Sequence, residues 1–152
     1  MPAEFQILPT LRLKHARIWG RTNFAEIESC FTRTLTDPAF RFDLRILADL
    51  RGLTDPVGGL WEFWKLKQMY KTVYGAVHQA VEVVILAETP LAYRVARLFA
   101  WLMRDKHPLR VRVARDLDQA LQMLSLPKGC LPTDPAQGTA SNVVPLTRFR
   151  SD

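Results

Sequence analysis

The chain has 152 residues, of which 48% are hydrophobic and 24% charged, and it carries a formal net charge of +6. That length suits one domain covering a single sheet with helices, and that balance excludes a wholly disordered, fibrous or membrane-embedded chain. The positive charge favours acidic partners in general, whether nucleic acid, an anionic surface or an acidic protein, and selects none of them.

The longest apolar stretch, around Val83 to Ala87, is too short to span a bilayer. The N-terminal MPAEFQILPTLRLKHAR lacks the continuous hydrophobic segment and cleavage site of an export signal. Cys30 and Cys130 are the only cysteines, and neither has a metal-ligand spacing. The expectation is a cytoplasmic chain with two reduced thiols, no bound metal and no cofactor.

In chain order, Glu4 to Leu8 and Leu11 to Trp19 read as two short strands joined at Pro9-Thr10, an antiparallel pair. Asn23 followed three positions later by Glu26 is a capping box, and Ile27, Phe31 and Leu35 carry a helix to Asp37-Pro38. Leu44 to Leu50 reads as a buried strand, RGLTDPVGG as a loop, and Leu60 to about Val77 as a long helix. Val81 to Ala87 is rich in β-branched residues, as a strand covered on both faces is. Thr89-Pro90 opens a third helix running to about Arg104, with proline suited to the first turn. Leu109 to Val113 alternates with period two, and Asp116 caps a last helix.

The resulting pattern, ββαβαβαβα, predicts an α/β fold with a mostly parallel five-stranded sheet, an antiparallel N-terminal edge and four helices. Residues 1–126 form the expected domain, and 127–152, rich in Pro, Gly, Ser, Thr and Asn, read as a flexible tail.

Within this order, ILADLRGLTDPVGGL, from Ile46 to Leu60, resembles the STAS signature, in which an apolar strand ends in Asp-Leu and Asp-Ser-Ser-Gly-Leu opens a helix. PLAYRVARLFAWL ahead of VRVARDLDQALQML is similar to SpoIIAA-like families of anti-sigma-factor antagonists. By position, Asp49 matches the strand-end aspartate, Asp55 the loop aspartate, and Gly58 or Gly59 the glycine at the helix start. Pro56 and Val57 stand where phospho-switched members carry serine, and valine has no hydroxyl to phosphorylate. Thr54 is the nearest substitute, and backbone bonding explains a loop threonine better than phosphorylation does.

The resemblance implies a non-enzymatic regulatory domain that binds an as yet unidentified protein without the usual phosphoserine. The expected contact surface is Asp55, Val57, Gly58, Gly59, Trp61 and Trp64: glycines for close approach, tryptophans for apolar area. On a helical wheel Phe63, Leu66, Tyr70, Val73, Tyr74 and Val77 face the sheet, with Trp61 opposite and Trp64 at the margin. In the third helix Leu91, Val95, Leu98, Phe99 and Leu102 form the expected core side, leaving Arg94, Arg97 and Trp101 as a candidate anion-binding face.

A second reading, a carrier of a lipid or other apolar ligand, rests on the apolar helices, the basic surface and the similar SEC14-type architecture. Nucleic acid has no zinc-finger, recognition-helix or RNA-binding motif in its favour. Catalysis has no HExxH, GxSxG or P-loop, and His15, His78 and His107 read as structural or exposed. Asp49 and Asp55 are placed by this reading at the crevice beyond the strand ends. An edge strand or a helix face could pair two copies into a homodimer.

Overall fold

The computed structural model describes residues 3–57, 60–104 and 108–131. Its elements are β1 (Ala3–Leu8), a 3-10 turn (Pro9–Leu11), β2 (Leu13–Asn23), α1 (Phe24–Leu35), β3 (Arg45–Val57), α2 (Leu60–Tyr74), β4 (Val81–Leu86), α3 (Pro90–Leu102), β5 (Leu109–Ala114) and α4 (Leu117–Met123). The fold is α/β, with five strands in the order β1-β2-β3-β4-β5; β1 pairs antiparallel with β2 and every other pair is parallel. No described helix is long and apolar enough to cross a membrane.

The helix starts follow the side-chain chemistry anticipated for them. Asn23 accepts from the Glu26 amide and Glu26 accepts from the Asn23 amide, each at 3.0 Å. Thr89 caps α3 by accepting from the Ala92 amide at 3.1 Å, and Asp116 caps α4 by accepting from Gln119 at 2.8 Å.

A sheet whose parallel strands follow one another in sequence, each crossover right-handed, carries its crossover helices on one face. Accordingly Phe31 of α1, Tyr74 of α2 and Phe99 of α3 share a core with Ile46, Leu50, Val83 and Ile85. The alternate strand positions, Leu13, Leu47, Val84 and Leu86, pack on the other face against Leu117 and Leu121 of α4 and Leu124 just after it. That second cluster takes in Leu126, Cys130 and Leu131, so core contacts run beyond α4. In α3 the buried stripe is Ala92, Ala96, Phe99 and Met103, while Leu91, placed in the core by periodicity, is 38% exposed. The small alanines let the helix axis come close to the sheet.

The main departure lies after Asp49. The segment expected to be a loop continues as strand to Val57, because β2 runs on to Asn23 and pairs with it: Gly52 lies opposite Trp19, Asp55 opposite Arg21 and Pro56 opposite Thr22. Pro56 fits there because β3 pairs with β4 only over Ile46 to Asp49, so its outer edge beyond that point is free of ladder bonds. The β2–β3 register shifts between Arg17 and Trp19, where Gly52 is packed so closely that an added Cβ would meet the Trp19 Cβ at 2.7 Å. Gly52→Ala is expected to cost about 1–3 kcal/mol in urea unfolding; an unchanged midpoint would show that Trp19 can retreat.

Candidate functional site

β2 is paired along both edges by β1 and β3, and Lys14, His15 and Arg17 are buried on its two faces, so these polar residues must find partners or space there. On the face toward α1, α2 and α3 its side chains are Lys14, Ala16 and Ile18. Beside them lie Ile46, Ala48 and Leu50 of β3, and above them Ile27 and Phe31 of α1, Phe63, Leu66 and Tyr70 of α2, and Val95 and Phe99 of α3. These residues enclose a cavity of about 130 Å³. Ala16, Ala48, Phe63 and Leu66 are only partly buried although they point into the helix-covered layer, because the helices do not close down on the sheet here. The cavity reaches Asn23, Phe24, Pro56 and Glu62, exposed or partly exposed residues where β2 and β3 pass into α1 and α2.

Lys14 is the cationic side chain in this apolar lining and is 2% exposed. Its Nζ lies 4.5 Å from the centroid of the Phe31 ring, and among the described residues no carboxylate pairs with it. Burial pulls its pKa down to about 8 against a smaller opposing effect of Cys30. Burial pushes the Cys30 thiol and the Tyr70 hydroxyl up, so both stay neutral around pH 7.

Comparison with protein-family models, with curated proteins and with solved structures finds no match. The site is therefore read from its own chemistry.

The opposite face of β2 carries a charged cluster. Asp49, 2% exposed, accepts from Arg51 through Nη2 at 2.7 Å and Nε at 3.0 Å, and its Oδ2 lies 3.4 Å from Nε2 of His15. Arg17 pairs with Glu4 across the β1–β2 ladder. Burial alone would raise the Asp49 carboxyl, but hydrogen bonds from His15 and Arg51 and the Arg51 charge hold it far below the usual carboxylate range. Asp49, Arg51 and His15 bond one another, with the Arg17–Glu4 ion pair beside them, which marks a structural network.

Sequence reasoning placed Asp49 and Asp55 together at the crevice beyond the strand ends. The strand extension separates them: Asp49 is buried inside β3, while Asp55 is exposed six positions on, 3.6 Å from Arg21. Thr54 is also exposed on β3, and Val57 ends that strand. Gly58 and Gly59 lie outside the described residues, as do His107 and the tail from residue 132. Trp61 and Trp64 are 61% and 44% exposed and stack with ring centroids 4.9 Å apart. On α3, Arg94, Arg97 and Trp101 are exposed as expected, but the guanidinium over the Trp101 ring, at 5.2 Å, belongs to Arg104.

Lys14 and the cavity were missed. The signal was present in Lys14-Ala16-Ile18, a lysine in register with apolar positions on a strand expected to lie beside two others.

Proposed function

We propose that this chain is a non-catalytic binding domain for a small apolar ligand. The observation that carries the reading is the cavity between the sheet and α1, α2 and α3, apolar in its lining apart from a few polar groups and bordered by partly exposed residues at one end. Ligand sites have this composition: apolar walls with few, placed polar groups. Its volume of about 130 Å³ is close to the roughly 150 Å³ of an apolar protein cavity that takes up benzene.

The test is binding of the neutral fluorescent probe N-phenyl-1-naphthylamine to the full chain. Ala48→Leu adds volume at the cavity floor, so it is expected to weaken probe binding at least about tenfold while holding or raising the thermal midpoint. A wild-type chain that leaves the probe dark, or equal binding by the filled variant, sinks the reading.

A second reading, a regulatory protein-contact domain of the STAS kind, is favoured by the exposed Trp61–Trp64 stack. It predicts that Trp61→Ala with Trp64→Ala removes a protein complex while probe binding is unchanged. Pro56 and Val57, on β3, offer no serine switch in that reading.

A further inference from the structure

We infer that the Lys14 ammonium is the head-group site of the cavity, and that the ligand is a monocarboxylate with an apolar body of about six or seven carbons. The inference rests on the apolar-ligand reading and adds to it the class of molecule bound.

A cation taken out of water without an anionic partner is costly, and proteins pair such groups. Lys14 is 2% exposed, lines the cavity and meets the Phe31 ring and the Cys30 thiol, with no carboxylate paired to it among the described residues. A ligand carboxylate would supply the missing charge and accept from the ammonium in a medium where that bond is strong. One lysine balances one negative charge. A dianionic phosphate would leave an excess charge, and the nearby Thr34 hydroxyl is already donating to the Cys30 carbonyl at 2.9 Å.

Lys14 and Asn23 both line the cavity, Lys14 in its buried part and Asn23 at its exposed end, so a carboxylate held at Lys14 would leave its apolar body lying toward that end.

The titratable groups facing Lys14 are few. From α1 there is Cys30; from α2 there are Tyr70 and, at the rim, Glu62, which is paired with Lys65 at 3.4 Å. β1, β3, β4 and α3 contribute apolar side chains such as Ala3, Ile46, Val83 and Phe99. A carboxylate ligand therefore needs the protonated form of Lys14, whose pKa near 8 makes binding fall as pH rises beyond it.

The experiment displaces N-phenyl-1-naphthylamine from the full chain with octanoate or octanamide, which differ in the charge of the head. Octanoate is expected to bind at least about tenfold more tightly than octanamide at pH 7, and to lose about tenfold per pH unit above about 8 while octanamide does not. Lys14→Met should bring the two within about threefold of each other, chiefly by weakening octanoate. Equal displacement by acid and amide in the wild type, or an acid preference that survives Lys14→Met, overturns the head-group assignment while leaving an apolar cavity. Failure of both ligands and of the probe overturns the underlying reading too. If Lys14→Met does not fold, the wild-type pH series decides alone: a flat octanoate profile between pH 7 and 10 overturns the assignment.

Discussion

Asp49→Ala is expected to lose about 3–5 kcal/mol of stability, read from the urea midpoint with an unchanged slope. Asp49 lies among Arg51, Arg17 and His15, and its carboxylate is what Arg51 is bonded to at 2.7 Å. Deleting it leaves guanidinium groups in protein with too little negative charge to meet them. Such a loss is a large share of the roughly 5–15 kcal/mol that holds a domain folded. Asp49→Asn keeps the shape but removes the charge, so it should be nearly as harmful; a loss below about 1 kcal/mol in either variant would mean that water solvates the pair.

The same network sets the acid limit. The Asp49 carboxyl is held far below its unfolded value of about 3.8, so the native state binds fewer protons there than the unfolded chain does. The stability it contributes is fully present above about pH 4 and is lost as pH falls through the folded pKa. The Asp49 variants should therefore show a flatter stability profile below pH 4 than the wild type.

Lys14→Met is expected to do the opposite and stabilise the ligand-free protein by about 3 kcal/mol at pH 7. The lysine pKa is lowered from 10.5 to about 8, and each unit corresponds to about 1.4 kcal/mol of preference for the neutral form in the folded state. Between pH 8 and 10.5 the unfolded chain holds the proton and the folded chain does not, so this penalty fades as pH rises. Tyr70, Tyr74 and Cys30 act in the reverse sense in alkali, since burial raises their pKa values. The difference between variant and wild type cancels those contributions to first order. It should shrink from about 3 kcal/mol at pH 7 toward zero near pH 10.5. A destabilised Lys14→Met at neutral pH would mean that the ammonium is solvated inside the cavity.

Much of the architecture was legible from local patterns because those patterns are enforced locally. The capping residues Asn23, Thr89 and Asp116 began helices where they were expected to, since each satisfies backbone donors within its own turn. The parallel pairing of the later strands followed from the alternation of strand and helix. What lay beyond reach was decided by pairing across the chain. Pro56 and Gly52 are breakers when read alone, yet the long partner strand ending at Asn23 draws both into the sheet. Asp49 looked like a site residue because an acid ending an apolar strand resembles one. Arg51 meets it from two positions on along the same strand, but His15 reaches it from β2, a contact visible only once β2 and β3 are side by side. Lys14 was hidden for a related reason: whether a strand lysine reaches solvent depends on which helices cover its face of the sheet.

The strand extension has a dynamic consequence. Beyond Ile18 on β2 and Asp49 on β3 the two strands share ladder bonds only with each other among the described residues, a two-stranded parallel ribbon that continues the five-stranded sheet, with Leu50 and Leu53 anchoring it in the core. Such a ribbon has little independent stability. Its amides should exchange with solvent through local fraying, well ahead of those in β4. In the apolar-ligand reading, such fraying would open the cavity at its Asn23 and Pro56 end while the rest of the protein stays folded.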